Sequence, residues 1–216
     1  GGEWDDALRL GDLVLAAPER FRYMEHATRQ VRANVFNARG DADSAMTEIR
    51  RALARARQID DAQSLWPLLG ALAGLTRRQG LQDERDRALD EVLAAFDANE
   101  SVGDAQEWHP ELVLELVLAG LSAAATRVVE QLPDVPWRDV ARAIVDGDHA
   151  GAADLLESIG EQPLQAELRL RAARSLAAEG RLADAEAQLE RARAFYRSVG
   201  ATAYLREADE ILAAAS

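Results

Sequence analysis

The stretch "EGRLADAEAQLERA", Glu179–Ala192, decides the fold of this chain. It sets a glycine at 180, an alanine at 185, a leucine at 189 and an alanine at 192. A glycine in this place ends one helix in a left-handed turn that a Cβ would oppose. The three residues that follow it fall on one stripe of the next helix, and the small alanine lets that helix approach its predecessor closely. The spacing recurs at Gly40/Ala45/Ile49/Ala52, Gly120/Ala125/Val129/Leu132 and Gly147/Ala152/Leu156/Ile159. Gly80 opens a looser copy, Ala88/Val92/Ala95, and Gly2 and Ala7 begin a partial one that ends at Gly11 and Val14.

Successive copies lie 38, 40, 40, 27 and 33 residues apart, periods that belong to stacked helical hairpins. A small or apolar residue stands seven positions before each of the five later glycines: Ala33, Ala73, Val113, Val140 and Ala173. These mark the first helix of each pair. Breakers and periodicity together predict helices near 4–16, 19–38, 42–58, 62–79, 82–97, 110–119, 121–131, 137–146, 148–158, 163–179, 181–198 and 201–214. No run alternates as a strand does. The last helix, "ATAYLREADEILAAAS", sets Leu205, Ala208 and Leu212 on one side with Arg206, Glu207 and Asp209 elsewhere, as a cap on the final repeat requires. The weakest segment, "DANESVGDAQEWHP" (97–110), is the expected hinge. It divides a longer-repeat half, 1–100, from a tighter-repeat half, 101–216, of one continuous array. Gly2 sits where a turn between paired helices belongs, so the chain is expected to begin half a repeat late, as part of something larger.

The spacing resembles the tetratricopeptide repeat over nearly the whole chain, although the period varies and the closing proline is mostly missing. The expected fold is therefore all-α: a right-handed tetratricopeptide-like α-solenoid of about five to six helix pairs with a C-terminal capping helix. A narrower resemblance lies in "GEWDDAL" (2–8), "VPWRDVARAIVDGDHAGAADLLESIG" (135–160) and "AELRLRAARSLAAEGRLADAEAQLERARAFYRSVGATAYLREADEIL" (166–212). These phrases resemble the C-terminal helical region of large bacterial signalling ATPases that join a cyclase-like or LuxR-type DNA-binding effector to a P-loop ATPase. That resemblance implies a sensor or partner-binding arm. It carries over no functional residues, because none of the family's nucleotide-binding or cyclase motifs is present.

Composition narrows the chemistry. The 216 residues include no cysteine, which excludes disulfides and thiolate chemistry and is compatible with a reducing cytoplasm, the expected location. There is also no lysine, so all 25 basic residues are arginine and neither a P-loop lysine nor a Schiff-base amine is available. A net charge of −13 disfavours nucleic acid and anionic membrane as partners. From Asp83 to Glu115 eleven acidic residues face only Arg85 and Arg87, either a solvated face or a lure for a basic partner. The N-terminus has neither the basic nor the apolar region of a signal peptide. The longest apolar run, "LVLELVLAGL" (112–121), is too short to span a membrane and carries Glu115.

No constellation suits an enzyme, a metal or a cofactor, and none is expected. His26, His109 and His149 sit in separate repeats, without a second ligand at metal-binding spacing. The run "IRRALARAR" places Arg50, Arg51, Arg55 and Arg57 toward a helix end, where the dipole favours them and where Glu48, Asp60 and Asp61 are available as partners. Trp4, Trp66, Trp108 and Trp137 read as packing anchors. The first helix of each pair is expected to line a concave groove. There Gln30, Asn34 and Asn37 form a stripe able to donate to and accept from a peptide backbone. Gly70 and Gly74 leave bare surface with Arg77 one turn on, and Arg171 and Arg174 suit a carboxylate.

The leading expectation is a non-catalytic interaction or sensor arm for a protein or peptide partner, or for N-terminal domains of the same parent chain. An inducer-sensing helical domain, a stand-alone adaptor and a purely architectural array remain alternatives. The architectural reading expects an apolar end at Trp4, Leu8 and Leu13, and the oligomeric state is open.

Overall fold

The computed structural model describes residues 3–18, 24–59, 62–97 and 108–214, without the side chains of 59, 62, 63, 108 and 109. Among them run twelve helices and no strand: α1 (Trp4–Ala16), α2 (Glu25–Arg39), α3 (Ala42–Ile59), α4 (Ala62–Arg78), α5 (Gln82–Asp97), α6 (Trp108–Leu118), α7 (Ser122–Gln131), α8 (Pro136–Val145), α9 (His149–Ile159), α10 (Gln162–Ala178), α11 (Leu182–Val199) and α12 (Thr202–Ala213). The start expected for the second helix falls partly on 19–23, and most of the expected hinge on 98–107; both stretches lie outside the described residues.

The glycine spacing works as the sequence suggests. At Gly180 the Arg181 amide donates to the Leu176 carbonyl at 2.9 Å and the Gly180 amide to that of Ala177 at 3.0 Å, a Schellman closure. Gly120 is built the same way, with φ at 79° and bonds from Leu121 to Leu116 and from Gly120 to Val117. Nothing lies within 4 Å of a Cβ added there, so Gly120→Ala should cost only the left-handed backbone term, about 1–2 kcal/mol, read by urea unfolding. All five residues seven positions before a repeat glycine are fully buried, as are Ala45, Ala125, Ala152 and Ala185 at the helix crossings.

Consecutive helices pack on one another, α5 and α6 excepted, and a second tier joins alternate ones: α2 to α4, α4 to α6 and α6 to α8. One apolar cluster runs from Ala33 on α2 to Leu168 on α10, so the core is continuous across 98–107. Ion pairs link alternate helices at a common interval. Arg50 pairs with Glu84 and Arg57 with Glu91, each 34 residues on and each linking α3 to α5; Glu157 and Arg191 repeat that interval from α9 to α11. The expected partners of the arginine run were nearer in sequence. Glu48 instead turns inward to Arg29 and Arg32 on α2, and Asp60 and Asp61 lie outside the described residues.

Two equivalent positions share an inward arginine, partly buried at 29 and fully buried at 169. Arg29 and Arg169 both stand eleven residues before their glycine, and each reaches an acceptor 19 residues on, Glu48 at 2.7 Å and Gln188 at 2.9 Å. Trp66 is in the core against Phe96, Trp137 packs half-buried on the same cluster, and Trp4 sets its ring edge-on to Phe195 at 5.9 Å. At the expected apolar end, Trp4 and Leu8 are therefore half-covered, while Leu13 and its neighbour Leu10 are exposed.

The far end differs from a simple cap. α12 packs on α11 but also on α10 and on α2, so the last helix returns to the second. Small residues permit the approach: Ala38 joins the C-terminal apolar cluster, and the bare Cα of Gly40 faces Arg206 and Ala203. Thr202 Oγ1 donates to the Arg39 carbonyl at 2.9 Å, and the Arg39 guanidinium donates to the Val199 carbonyl at 3.3 Å.

Candidate functional site

Helices α2, α4, α6, α10 and α12, with Trp4 of α1, line an open cavity of about 130 Å³. Leu75, Leu114 and Leu164 supply apolar wall, and Asn34, Arg77 and Tyr204 supply polar groups. The space suits a small amphipathic molecule or the side chains of a docked segment.

Four of the six predicted groove residues, Asn34, Asn37, Arg77 and Arg174, line this cavity or the adjoining cleft at its edge. Asn34 is exposed there. Asn37 is buried and donates from Nδ2 to the Tyr204 hydroxyl at 2.9 Å. Gln30 is half-buried one turn earlier and reaches the Pro67 carbonyl at 3.4 Å. Arg77 donates to both carboxylate oxygens of Glu115, at 2.8 and 3.0 Å. Arg171 is buried against Glu167 at 2.5 Å, and Arg174 reaches Glu207 at 3.0 Å. Gly70 and Gly74 are not bare: α6 lies over them, with Leu112 and Glu115 within 3.6 and 3.2 Å of an added Cβ. Their missing side chains admit a neighbouring helix.

The inner face is thus an ion network. Arg78 bonds to Glu167 and Glu207 and holds its guanidinium 4.2 Å from the Tyr204 ring centroid. Burial alone would favour the neutral form of Glu167. The charges of Arg171, Arg78 and Arg77 overcome it and hold the carboxyl well below its ordinary range. Burial also works against the Arg78 and Arg171 cations, and Glu167 keeps both charged. Tyr196 and Tyr204 are shifted upward, chiefly by burial, so both hydroxyls stay protonated.

Sequence reasoning missed Arg78, Glu167, Tyr204 and Glu207. It had one pointer, Glu115 alone in an apolar run, because a carboxylate buried that way demands a cation. The side chain of His109 lies outside the described residues. His149 opens α9 beside Asp148, its imidazole pushed down by burial and by Arg171. Among the described residues no group of three His, Asp or Glu side chains is placed to hold a metal ion, and no helix is long and apolar enough to cross a membrane.

No protein-family model matches this chain, and no curated protein sequence is significantly similar to it.

Proposed function

We propose that the chain is a tetratricopeptide-like right-handed array of about five to six helix pairs. In this reading it serves as a non-catalytic protein-interaction or sensor arm of a larger cytoplasmic signalling or transcription-regulatory ATPase. One observation carries this: polar groups from α2, α4, α10 and α12, far apart in sequence, converge around one open cavity and the cleft beside it. A face made of several repeats reads an extended or helical segment rather than a single functional group. Its rim supplies Asn34 and the half-exposed Arg174.

Asn34→Asp together with Arg174→Glu should remove prey from an affinity capture with the wild-type chain as bait, while far-UV circular dichroism stays unchanged. Identical prey from both baits would sink this face as the binding site.

The cavity favours a second reading, an inducer-sensing domain whose inner face closes around a small amphipathic molecule. A ligand that binds only the folded state raises the melting temperature with its concentration. Thermal-shift screening separates the two readings.

A further inference from the structure

The inner face already holds a ligand, supplied by the chain itself. α12 has two working sides. Ala208 and Ile211 are buried in the apolar cluster of α11, with Leu205 and Leu212 packed beside them, which seats the helix as a cap. Tyr204 and Glu207, three residues apart and so on one face, turn instead into the network. Tyr204 takes the Asn37 amide at 2.9 Å and lies under the Arg78 guanidinium. Glu207 takes Arg78, takes Arg174 at 3.0 Å and lies 3.9 Å from Arg171. Three of the residues that suit a partner's backbone or carboxylate, Asn37, Arg171 and Arg174, are thus engaged by α12.

We infer that α12 is an internal placeholder, and that its seat accepts in trans an acidic helix presenting a phenol and, three residues later, a carboxylate. Charge argues for that chemistry. With α12 in place, Arg77, Arg78, Arg171 and Arg174 are answered by Glu115, Glu167 and Glu207. Withdrawing α12 removes Glu207 and leaves four guanidiniums against the cavity carboxylates Glu111, Glu115 and Glu167, an excess of positive charge in a chain of net charge −13. Covering those cations again without partners would be strongly unfavourable, so the seat selects an anionic occupant. The side of α12 toward α2 is joined by the polar bonds of Thr202 and Tyr204, whereas the side toward α11 is held by buried Ala208 and Ile211 and by Arg193, so an incoming helix must replace both sets of contacts. A partner helix competes with α12, and the array is autoinhibited until it does.

This rests on the interaction-arm reading, and a binding competition tests it separately. A fluorescein-labelled peptide with the sequence of residues 201–214 is titrated by anisotropy into the full chain and into the Tyr204→Ala/Glu207→Gln variant, whose helicity is checked first. If the double variant loses helicity, Glu207→Gln alone takes its place. The variant should bind the peptide at least tenfold more tightly than the wild type. A peptide carrying the same two changes should lose at least tenfold on the variant. Equal affinity of the two proteins, or indifference to the changes in the peptide, would overturn the inference. So would a variant that dimerises without taking up peptide, which assigns the seat to a second copy of the chain. Failure of the prey capture described above would refute the arm and leave this competition standing.

Discussion

Replacing Glu167 with alanine is expected to remove about 3–5 kcal/mol of stability, the usual consequence of taking one partner from a buried ion pair. Glu167 is shared by three of the inner arginines: it bonds to Arg78, meets Arg171 at 2.5 Å and stands 3.5 Å from Arg77. The side chains of Arg78 and Arg171 are 13% and 7% exposed, so water cannot replace the lost carboxylate. Urea unfolding measures the loss. The outer pair Arg57–Glu91, with side chains 52% and 39% exposed, is the control, and Glu91→Ala should change stability by about 1 kcal/mol or less. A Glu167→Ala loss no larger than the control's would show that the network contributes little to stability.

The same carboxylate sets an acid limit. Glu167 is held below its ordinary value of 4.5 in the folded chain, so its contribution is complete above pH 4.5. It is lost as pH falls through the lower folded value. The stability gap between wild type and Glu167→Ala should therefore be constant near neutrality and narrow in acid. The tyrosines act at the other extreme. Tyr204, raised above its ordinary value of 10.0, contributes fully below pH 10 and progressively less as pH rises through its folded value. A gap that stays constant down to pH 2 would remove Glu167 from the acid response.

The second large effect tests the repeat itself. Ile49, Leu156 and Leu189 hold the same place, nine residues after their glycines, and all three are fully buried. Alanine at each should cost about 2–5 kcal/mol through lost burial and the cavity left behind. Leu155, adjacent in sequence but 39% exposed, points off the stripe, and Leu155→Ala should stay within about 0.5 kcal/mol. Comparable losses at Leu155 and Leu156 would refute the stripe. Hydrogen exchange adds a finer reading. In an open stack a defect is felt by neighbouring repeats. Here α12 ties α11 to α2, so Leu189→Ala should also speed exchange in α2.

Local chemistry was legible because it repeats. A left-handed glycine turn, a small residue at a helix crossing and an apolar stripe each depend on a few neighbours in the chain. Gly180, Ala185 and Leu189 therefore announce their helix hairpin without reference to anything else. Twelve expected helices correspond to the twelve described, most with ends within one or two residues, while the second, expected from 19, is described from Glu25.

The inner site was less legible. Asn34, Asn37, Arg77, Arg171 and Arg174 can be assigned to the first helices of pairs by register. Register does not say which carboxylate each arginine meets. That depends on curvature, which accumulates from small rotations at every crossing, and on where Gly70 and Gly74 let α6 settle. The amino-acid sequence by itself determined the helices, their turns and the faces they bury, because those are set by contacts within one or two repeats. Only the tertiary structure decided that α12 returns to α2 and places Tyr204 and Glu207 among Asn37, Arg78 and Arg174. Contacts separated by up to 167 residues are fixed by the summed geometry of all the repeats between them.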